Sequence, residues 1–173
     1  MKTFNFGTDD DEEETREERL VGVSGYHVTN EGETLVAYGL GACVAIALWD
    51  TDTGVGALAH TLLPRQDSGQ GASSGKYVDA AIQTMLREMV EAGAGYSSIE
   101  ARLVGGADIF ELKALGKGVG RKNAAVAREE LDRLDVPIVA ESTGGEHGRT
   151  VEFDTSTGRV EVTTAHSDEI EVL

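Results

Sequence analysis

Two apolar runs in the first half of the chain are separated by a short polar segment. The first extends from Val44 to Trp49 and the second from Val55 to Leu63. The segment between them, Asp50 to Gly54, contains the Asp, Thr and Gly residues that favour turns. This pattern predicts a β-hairpin, and with a turn centred near Asp52, position 43 faces position 60 or 61 across the two strands.

Two later segments show helical spacing. In residues 76–92, four apolar side chains recur every three or four positions: Val78, Ile82, Met85 and Met89. This spacing predicts an amphipathic helix with those side chains in the core. A second helix is predicted over residues 123–134, with Asn123 as its N-cap.

Strand-type patterns cover residues 21–28, 34–38, 99–104, 137–140, 150–153 and 160–164. Together with the hairpin and the helices, they predict an α+β layered sandwich. In it, a mixed, largely antiparallel β-sheet has helices packed against it.

The two ends of the chain differ from the part between them. Asp9 to Glu14 and Glu17-Glu18 are blocks of like charge, and such blocks repel each other and stay disordered. We therefore expect an acidic disordered tail over residues 1–19, a single folded domain over residues 20–166 and a C-terminal tail over residues 167–173.

Acidic residues outnumber basic ones along the whole chain. The 173 residues include 31 Asp and Glu against 15 Lys and Arg, a formal net charge of −16. This charge argues against nucleic acid as a partner, because phosphates attract Lys and Arg. The dispersion of the acidic residues suggests a halophilic protein, whose self-repulsion is screened by salt.

Several sequence features point to the cytoplasm. No stretch reaches the roughly 20 apolar residues of a membrane-spanning helix, and residues 1–6 lack the apolar centre of a signal peptide. A single cysteine excludes an internal disulfide and fits a reducing compartment. We therefore expect a cytoplasmic protein that is not embedded in a membrane.

Cys43, the only cysteine, ends a glycine-rich turn. Gly39 and Gly41 let main-chain N–H groups point into a concavity, where those of Gly41, Ala42 and Cys43 could stabilise an oxyanion. The predicted hairpin brings His60 beside Cys43, and a thiol next to an imidazole is the minimum requirement for thiol nucleophilic catalysis. A neighbouring imidazolium would lower the pKa of the thiol.

Each of these features also has a structural interpretation. Lone cysteines often pack as small apolar residues, and a single strand histidine is often a satisfied core group. Gly105-Gly106 follows a predicted strand, where paired glycines serve either a close peptide approach or a tight turn. The remaining histidines lack metal-ligand spacing, and we expect neither a metal nor another cofactor.

Six blocks carry a resemblance to a known family: Gly39–Cys43, His60–Pro64, Lys76–Ala80, Gly105–Ala107, Gly120–Asn123 and Thr143–Gly145. In order and spacing they resemble the CheD family of chemoreceptor glutamine deamidases, over about residues 21–162. The resemblance implies that residues 20–166 form a deamidase domain with a layered α/β fold, with Cys43 as nucleophile, His60 as its histidine and a substrate-groove role for Gly105 and Gly106. It also implies conversion of glutamine to glutamate in chemoreceptor cytoplasmic domains, and association with a CheC-type phosphatase.

The chain departs from the family pattern at two positions. The family often has a threonine six residues before the cysteine, which would orient the histidine, and Ala37 occupies this position. The usual arginine before the motif asparagine is Lys122, which lacks the bidentate geometry of a guanidinium. Two other functions stay open: a non-catalytic chemotaxis adaptor, and a cysteine peptidase or transamidase with the same amide chemistry.

Overall fold

In the computed structural model, which describes residues 17–66, 75–109 and 116–173, the chain folds into three layers. Two five-stranded sheets pack face to face, and two helices cover the other face of one of them. The strands are β1 (Glu18–Leu20), β2 (Tyr26–Thr29), β3 (Thr34–Leu40), β4 (Val44–Asp50), β5 (Gly56–Thr61), β6 (Ile99–Gly105), β7 (Ile138–Thr143), β8 (Arg149–Asp154), β9 (Arg159–Thr164) and β10 (Ile170–Val172). The helices are α1 (Val78–Glu91) and α2 (Val119–Arg133), with a short 3-10 helix at Tyr96–Ser98.

The two sheets confirm the predicted α+β sandwich. The outer sheet has the order β1-β3-β8-β9-β10, and the central sheet has the order β2-β5-β4-β6-β7. The pairs β1–β3 and β6–β7 are parallel and the other described pairs are antiparallel. The turn that contains Gly32 carries the chain from the central sheet to the outer sheet. Consecutive strands β2 and β3 therefore belong to different layers.

The central sheet is buried on both faces because it lies between the helices and the outer sheet. In β4, Val44, Ile46 and Leu48 face the helices, whereas Ala45 and Ala47 face the outer sheet. A strand buried on both faces appears in a sequence as a continuous apolar run. This explains why β4 has no alternation of polar and apolar residues before its end.

The helices bury the predicted faces, but α2 begins earlier than predicted. The four spaced apolar side chains of α1 are all fully buried: Val78, Ile82, Met85 and Met89. α2 begins at Val119, after Gly118 in a left-handed conformation with a φ of +73°. The prediction that Asn123 is an N-cap is therefore wrong, because Asn123 lies inside the helix and is buried. Within the described ranges, no helix is long and apolar enough to cross a membrane.

The predicted hairpin of β4 and β5 is present, but its register differs from the prediction. Ala45 pairs with His60, so position 43 is opposite position 62. The predicted pairing of position 43 with position 60 or 61 is therefore wrong. The turn of residues 51–55 is centred beyond Asp52, and the N–H of Asp50 closes it by donating to the carbonyl of Val55 at 2.9 Å.

Both ends of the described chain add strands to the outer sheet. β1 lies at the end of the predicted acidic tail, while residues 1–16 of that tail lie outside the described residues. β10 lies within the predicted C-terminal tail and pairs with β9. The N–H of Leu173 also donates to the carbonyl of Val160 at 2.9 Å. Residues 170–173 therefore extend the sheet, because pairing with β9 satisfies their main-chain groups.

Candidate active site

Cys43 lies in a tight turn that runs from the last two residues of β3 to the start of β4, here called the thiol loop (residues 39–43). The loop turns at Gly39, whose φ is +66°. Three hydrogen bonds of 2.9 Å hold successive carbonyl groups: Gly41 accepts from the Ala107 N–H, Ala42 from the Asn123 side-chain amide, and Cys43 from the Gly106 N–H. The end of β6 and helix α2 therefore clamp one side of the loop.

These bonds determine where the N–H groups of the loop point. In a trans peptide the N–H lies opposite the carbonyl of the same unit, so the N–H groups of Ala42 and Cys43 face away from the clamp. Neither donates to an oxygen within the described residues, and the N–H of Cys43 lowers the pKa of its own thiol. The N–H of Gly41 is already used, because it donates to the carbonyl of Gly39 at 3.0 Å. Two of the three expected oxyanion donors are therefore available.

The main chain of His60 is held in the sheet, and a hydrogen bond of its ring fixes the orientation of the side chain. Its side chain is 1% exposed, and its Nδ1 lies 3.3 Å from the carbonyl oxygen of Val21. A carbonyl only accepts, so this contact requires the proton on Nδ1 and leaves a lone pair on Nε2. Nε2 is buried and has no hydrogen-bond partner in the part of the chain that the structure describes. His60 is therefore oriented as a base with an unoccupied acceptor nitrogen.

The thiol and the imidazole share one face of the central sheet. Because Ala45 pairs with His60, Cys43 lies two residues along the same face, in a diagonal position. Diagonal neighbours in antiparallel strands are typically about 7–8 Å apart at Cα, within reach of longer side chains. The unoccupied Nε2 means that the two groups are not hydrogen-bonded to each other at rest.

Burial shifts the two pKa values in opposite directions. Desolvation raises the pKa of the Cys43 thiol, and its own N–H opposes this shift. Desolvation lowers the pKa of His60, and the Val21 carbonyl opposes it. Both shifts favour the uncharged form. Taken one at a time, the two shifts therefore favour a neutral thiol and a neutral imidazole over the thiolate and imidazolium that the sequence suggested.

The glycines near the thiol loop differ in their surroundings. A Cβ at Gly105 would lie 2.3 Å from the Cys43 carbonyl oxygen, and one at Gly106 would lie 2.8 Å from that of Gly120. These two glycines let the main chain of the thiol loop and of α2 pack closely against residues 105 and 106. A Cβ at Gly39 would meet no heavy atom within 4 Å, because this glycine faces open space.

A cavity of about 890 Å³ opens on the clamped side of the loop. Its walls come from Ala42, residues 107–109, residues 116–121 and Glu146. The ion pair between Arg121 Nη2 and Asp108 Oδ2, 2.6 Å long, lies at this cavity. The side chains of Cys43 and His60 do not line this cavity. It therefore adjoins the thiol loop but does not reach the candidate catalytic side chains.

Two groups at the site leave no clear signal in the sequence. The Val21 carbonyl orients His60, and a main-chain group leaves no signal in a side-chain pattern. The sequence pattern predicts Asn123 as a helix cap, whereas its side chain binds the thiol loop from within α2. Ala37, at the expected position of the family's threonine, is 0% exposed in the core between the two sheets.

A layered α+β protein with a single buried thiol and an oriented, unpartnered imidazole on one sheet face has the arrangement of thiol-dependent hydrolases. Comparison with known proteins narrows this class. Residues 62–164 match the family model described as CheD chemotactic sensory transduction. The chain belongs to the CheD family.

Individual relatives match over 82% to 98% of the chain. A protein of Haloarcula marismortui named probable chemoreceptor glutamine deamidase CheD is 37% identical over 98% of this chain and 99% of its own length. A Geobacter metallireducens protein, probable chemoreceptor glutamine deamidase CheD 2, is 43% identical over 82% of this chain and 90% of its own. The chemoreceptor glutamine deamidase CheD of Thermotoga maritima is 35% identical over 82% and 88%.

Proposed function

We propose that this protein is a chemoreceptor glutamine deamidase that uses Cys43 as nucleophile and His60 as base. The observation that carries the proposal is that a buried thiol and an imidazole with an unoccupied Nε2 share one sheet face. Two N–H groups beside the thiol lack acceptors within the described residues. The relatives' names supply the substrate, the side-chain amide of a chemoreceptor glutamine. No cofactor is needed for this chemistry.

The reaction follows from the orientation of these groups. Sγ attacks the carboxamide carbon while Nε2 of His60 takes the thiol proton, and the C=O electron pair moves onto oxygen. The N–H groups of Ala42 and Cys43 donate to this oxyanion. The imidazolium then gives its proton to the departing nitrogen. Ammonia is released, and the acyl group remains bound to Cys43 as a thioester. Water, deprotonated by His60, cleaves the thioester to glutamate and restores the thiol.

The neutral resting pair determines when charge appears. A buried thiolate and imidazolium would each have to lose hydration before substrate arrives. In this site the charges form only during attack, when the oxyanion donors and the substrate are in place. His60 therefore acts as a general base during the chemical step, and the Nδ1 contact with Val21 holds its useful tautomer throughout.

Incubation with a chemoreceptor cytoplasmic fragment tests the proposal. Peptide mass spectrometry should show glutamine converted to glutamate without chain cleavage, with equimolar ammonia. Cys43→Ala should abolish conversion, and His60→Ala should be nearly as damaging, while Glu152→Gln on the exposed face of β8 should keep full activity. Chain cleavage would favour a peptidase, and binding without conversion would favour an adaptor. Full activity of Cys43→Ala would reject the nucleophile.

The family resemblance also supports proposals on context. We propose that the protein acts in the cytoplasm, where reducing conditions keep Cys43 as a thiol, and that it associates with a CheC-type phosphatase. Co-purification of the two proteins from the same cell tests the association. Recovery of the chain without such a phosphatase, under conditions that retain its receptor, would reject it.

A further inference from the structure

Asn123 joins the two segments on which the proposed reaction depends. Its side chain is 0% exposed inside α2. Its Nδ2 donates to the carbonyl of Ala42 at 2.9 Å and to that of Leu62 at 3.0 Å. Ala42 precedes the nucleophile, and Leu62 lies two residues after His60 and opposite position 43. One amide group therefore ties the thiol loop to the end of the histidine strand.

The structure indicates that Asn123 is not there for stability alone. Its Oδ1 is buried without a hydrogen-bond partner in the described part of the chain, and burying an unsatisfied acceptor is unfavourable. Asparagine is also a poor residue for a helix interior. An apolar side chain would avoid both costs but would leave the carbonyls of Ala42 and Leu62 without their donor. Local conflicts of this kind concentrate at functional sites.

The bond to Ala42 has a direct geometric consequence. It holds the carbonyl of the Ala42–Cys43 peptide toward α2, so the N–H of Cys43 must point the opposite way. That N–H also lowers the pKa of the Cys43 thiol, against the effect of burial. The neighbouring carbonyls of Gly41 and Cys43 are held by main-chain N–H groups. Asn123 is the side chain that completes this set.

We propose that Asn123 is a positioning residue, whose amide aims the Cys43 N–H at the developing oxyanion and fixes the thiol loop against the histidine strand. This proposal rests on the proposed deamidase function. Asn123 is buried beneath the loop and does not touch substrate. Its loss should therefore lower kcat and leave KM nearly unchanged.

The test compares two variants with a control in the same helix. Asn123→Ala removes both donated bonds, whereas Asn123→Asp keeps the shape and, when protonated, can donate to one carbonyl. Ala127→Gly, one turn further along α2 and buried in the core against the central sheet, destabilises the helix without touching the loop. We expect kcat to fall about 10–100-fold in Asn123→Ala, less in Asn123→Asp, and to stay at the wild-type level in folded Ala127→Gly.

A second readout does not need the receptor. Cys43 is the only thiol, so iodoacetamide reports on it alone. Loss of the fixed N–H contact should move the midpoint of alkylation to higher pH in Asn123→Ala and leave it unchanged in Ala127→Gly. This measurement separates the two proposals, because it can succeed even if receptor glutamines are not the substrate.

Three results would overturn the positioning role. The first is an Asn123→Ala variant with wild-type kcat and alkylation midpoint. The second is a loss of activity that only follows the folded fraction, as measured for Ala127→Gly. The third is failure of both Asn123 variants to fold at every salt concentration, which would assign the residue to stability.

Discussion

At the scale of single residues, all the hydrogen bonds that hold His60 within the described residues come from main-chain groups. Its N–H donates to the Gly25 carbonyl at 2.9 Å, its carbonyl accepts from the Ser24 N–H at 2.8 Å, and its Nδ1 meets the Val21 carbonyl. The segment from Val21 to Gly25 thus cradles the histidine. Because these are main-chain groups, no side chain at position 37 is needed to select the Nδ1–H tautomer.

Ala37→Thr should therefore bring no gain in activity. The added hydroxyl finds Nδ1 already bonded, and the added atoms must fit a site that is 0% exposed. We expect an initial rate of ammonia release no higher than that of wild type and a loss of stability of about 1–3 kcal/mol from overpacking. Ala101→Thr, equally buried but on the opposite face of the central sheet from His60, is the control for stability. A severalfold rise in rate would show that a threonine at this position improves the histidine.

The neutral resting pair predicts how the thiol titrates. Because burial raises the pKa of Cys43 and lowers that of His60, alkylation by iodoacetamide should rise with a midpoint above that of a free cysteine peptide. His60→Ala should not lower the rate at neutral pH. A rate that stays constant from pH 5 to 8 and collapses in His60→Ala would instead reveal a preformed thiolate–imidazolium pair.

At the scale of elements, the sequence predicted which segments form strands and helices better than it predicted the register between strands. The apolar runs indicated the β4–β5 hairpin, but its register depends on Asp50. This carboxylate accepts hydrogen bonds from Thr53 in its own turn and from Ser98 and Gly95, far along the chain. A local pattern contains no such contacts. The candidate pair, Cys43 and His60, was still placed on one face, because a diagonal and a direct neighbour share it.

The clamp on the thiol loop predicts different outcomes for two glycine variants. Gly39→Ala adds a Cβ in open space and is strained only by its positive φ, which costs about 1–2 kcal/mol. Gly105→Ala has a φ of +109° and also places a Cβ 2.3 Å from the Cys43 carbonyl oxygen. We expect a lower urea midpoint in both, a larger shift for Gly105→Ala, and a much lower kcat for Gly105→Ala alone. Equal kcat values in the two folded variants would contradict the clamp.

At the scale of the whole molecule, ion pairs occupy most of the arginines and still leave an acidic surface. The pairs are Arg19–Glu33, Arg65–Glu129, Arg102–Glu100, Arg121–Asp108, Arg128–Glu141, Arg133–Glu130 and Arg159–Glu161. With a net charge of −16, carboxylates outnumber the cations that could pair with them. Glu152 and Glu161 even lie directly opposite each other on β8 and β9. This distribution supports the proposal of a halophilic protein.

Stability should therefore rise as salt is added, and most steeply at low concentration. Screening shortens the Debye length to about 10 Å at 0.1 M and 3 Å at 1 M, so repulsion between exposed carboxylates fades over this range. Glu152→Lys should raise Tm in low salt by about 1–4 °C, because it replaces a repulsive cross-strand pair with an attractive one. That advantage should shrink in molar salt, whereas sucrose of equal osmolality should leave it intact. A wild-type Tm that is flat or falls from low to molar salt would contradict the halophilic interpretation. If the Tm gain of Glu152→Lys did not depend on salt, packing rather than charge would be its cause.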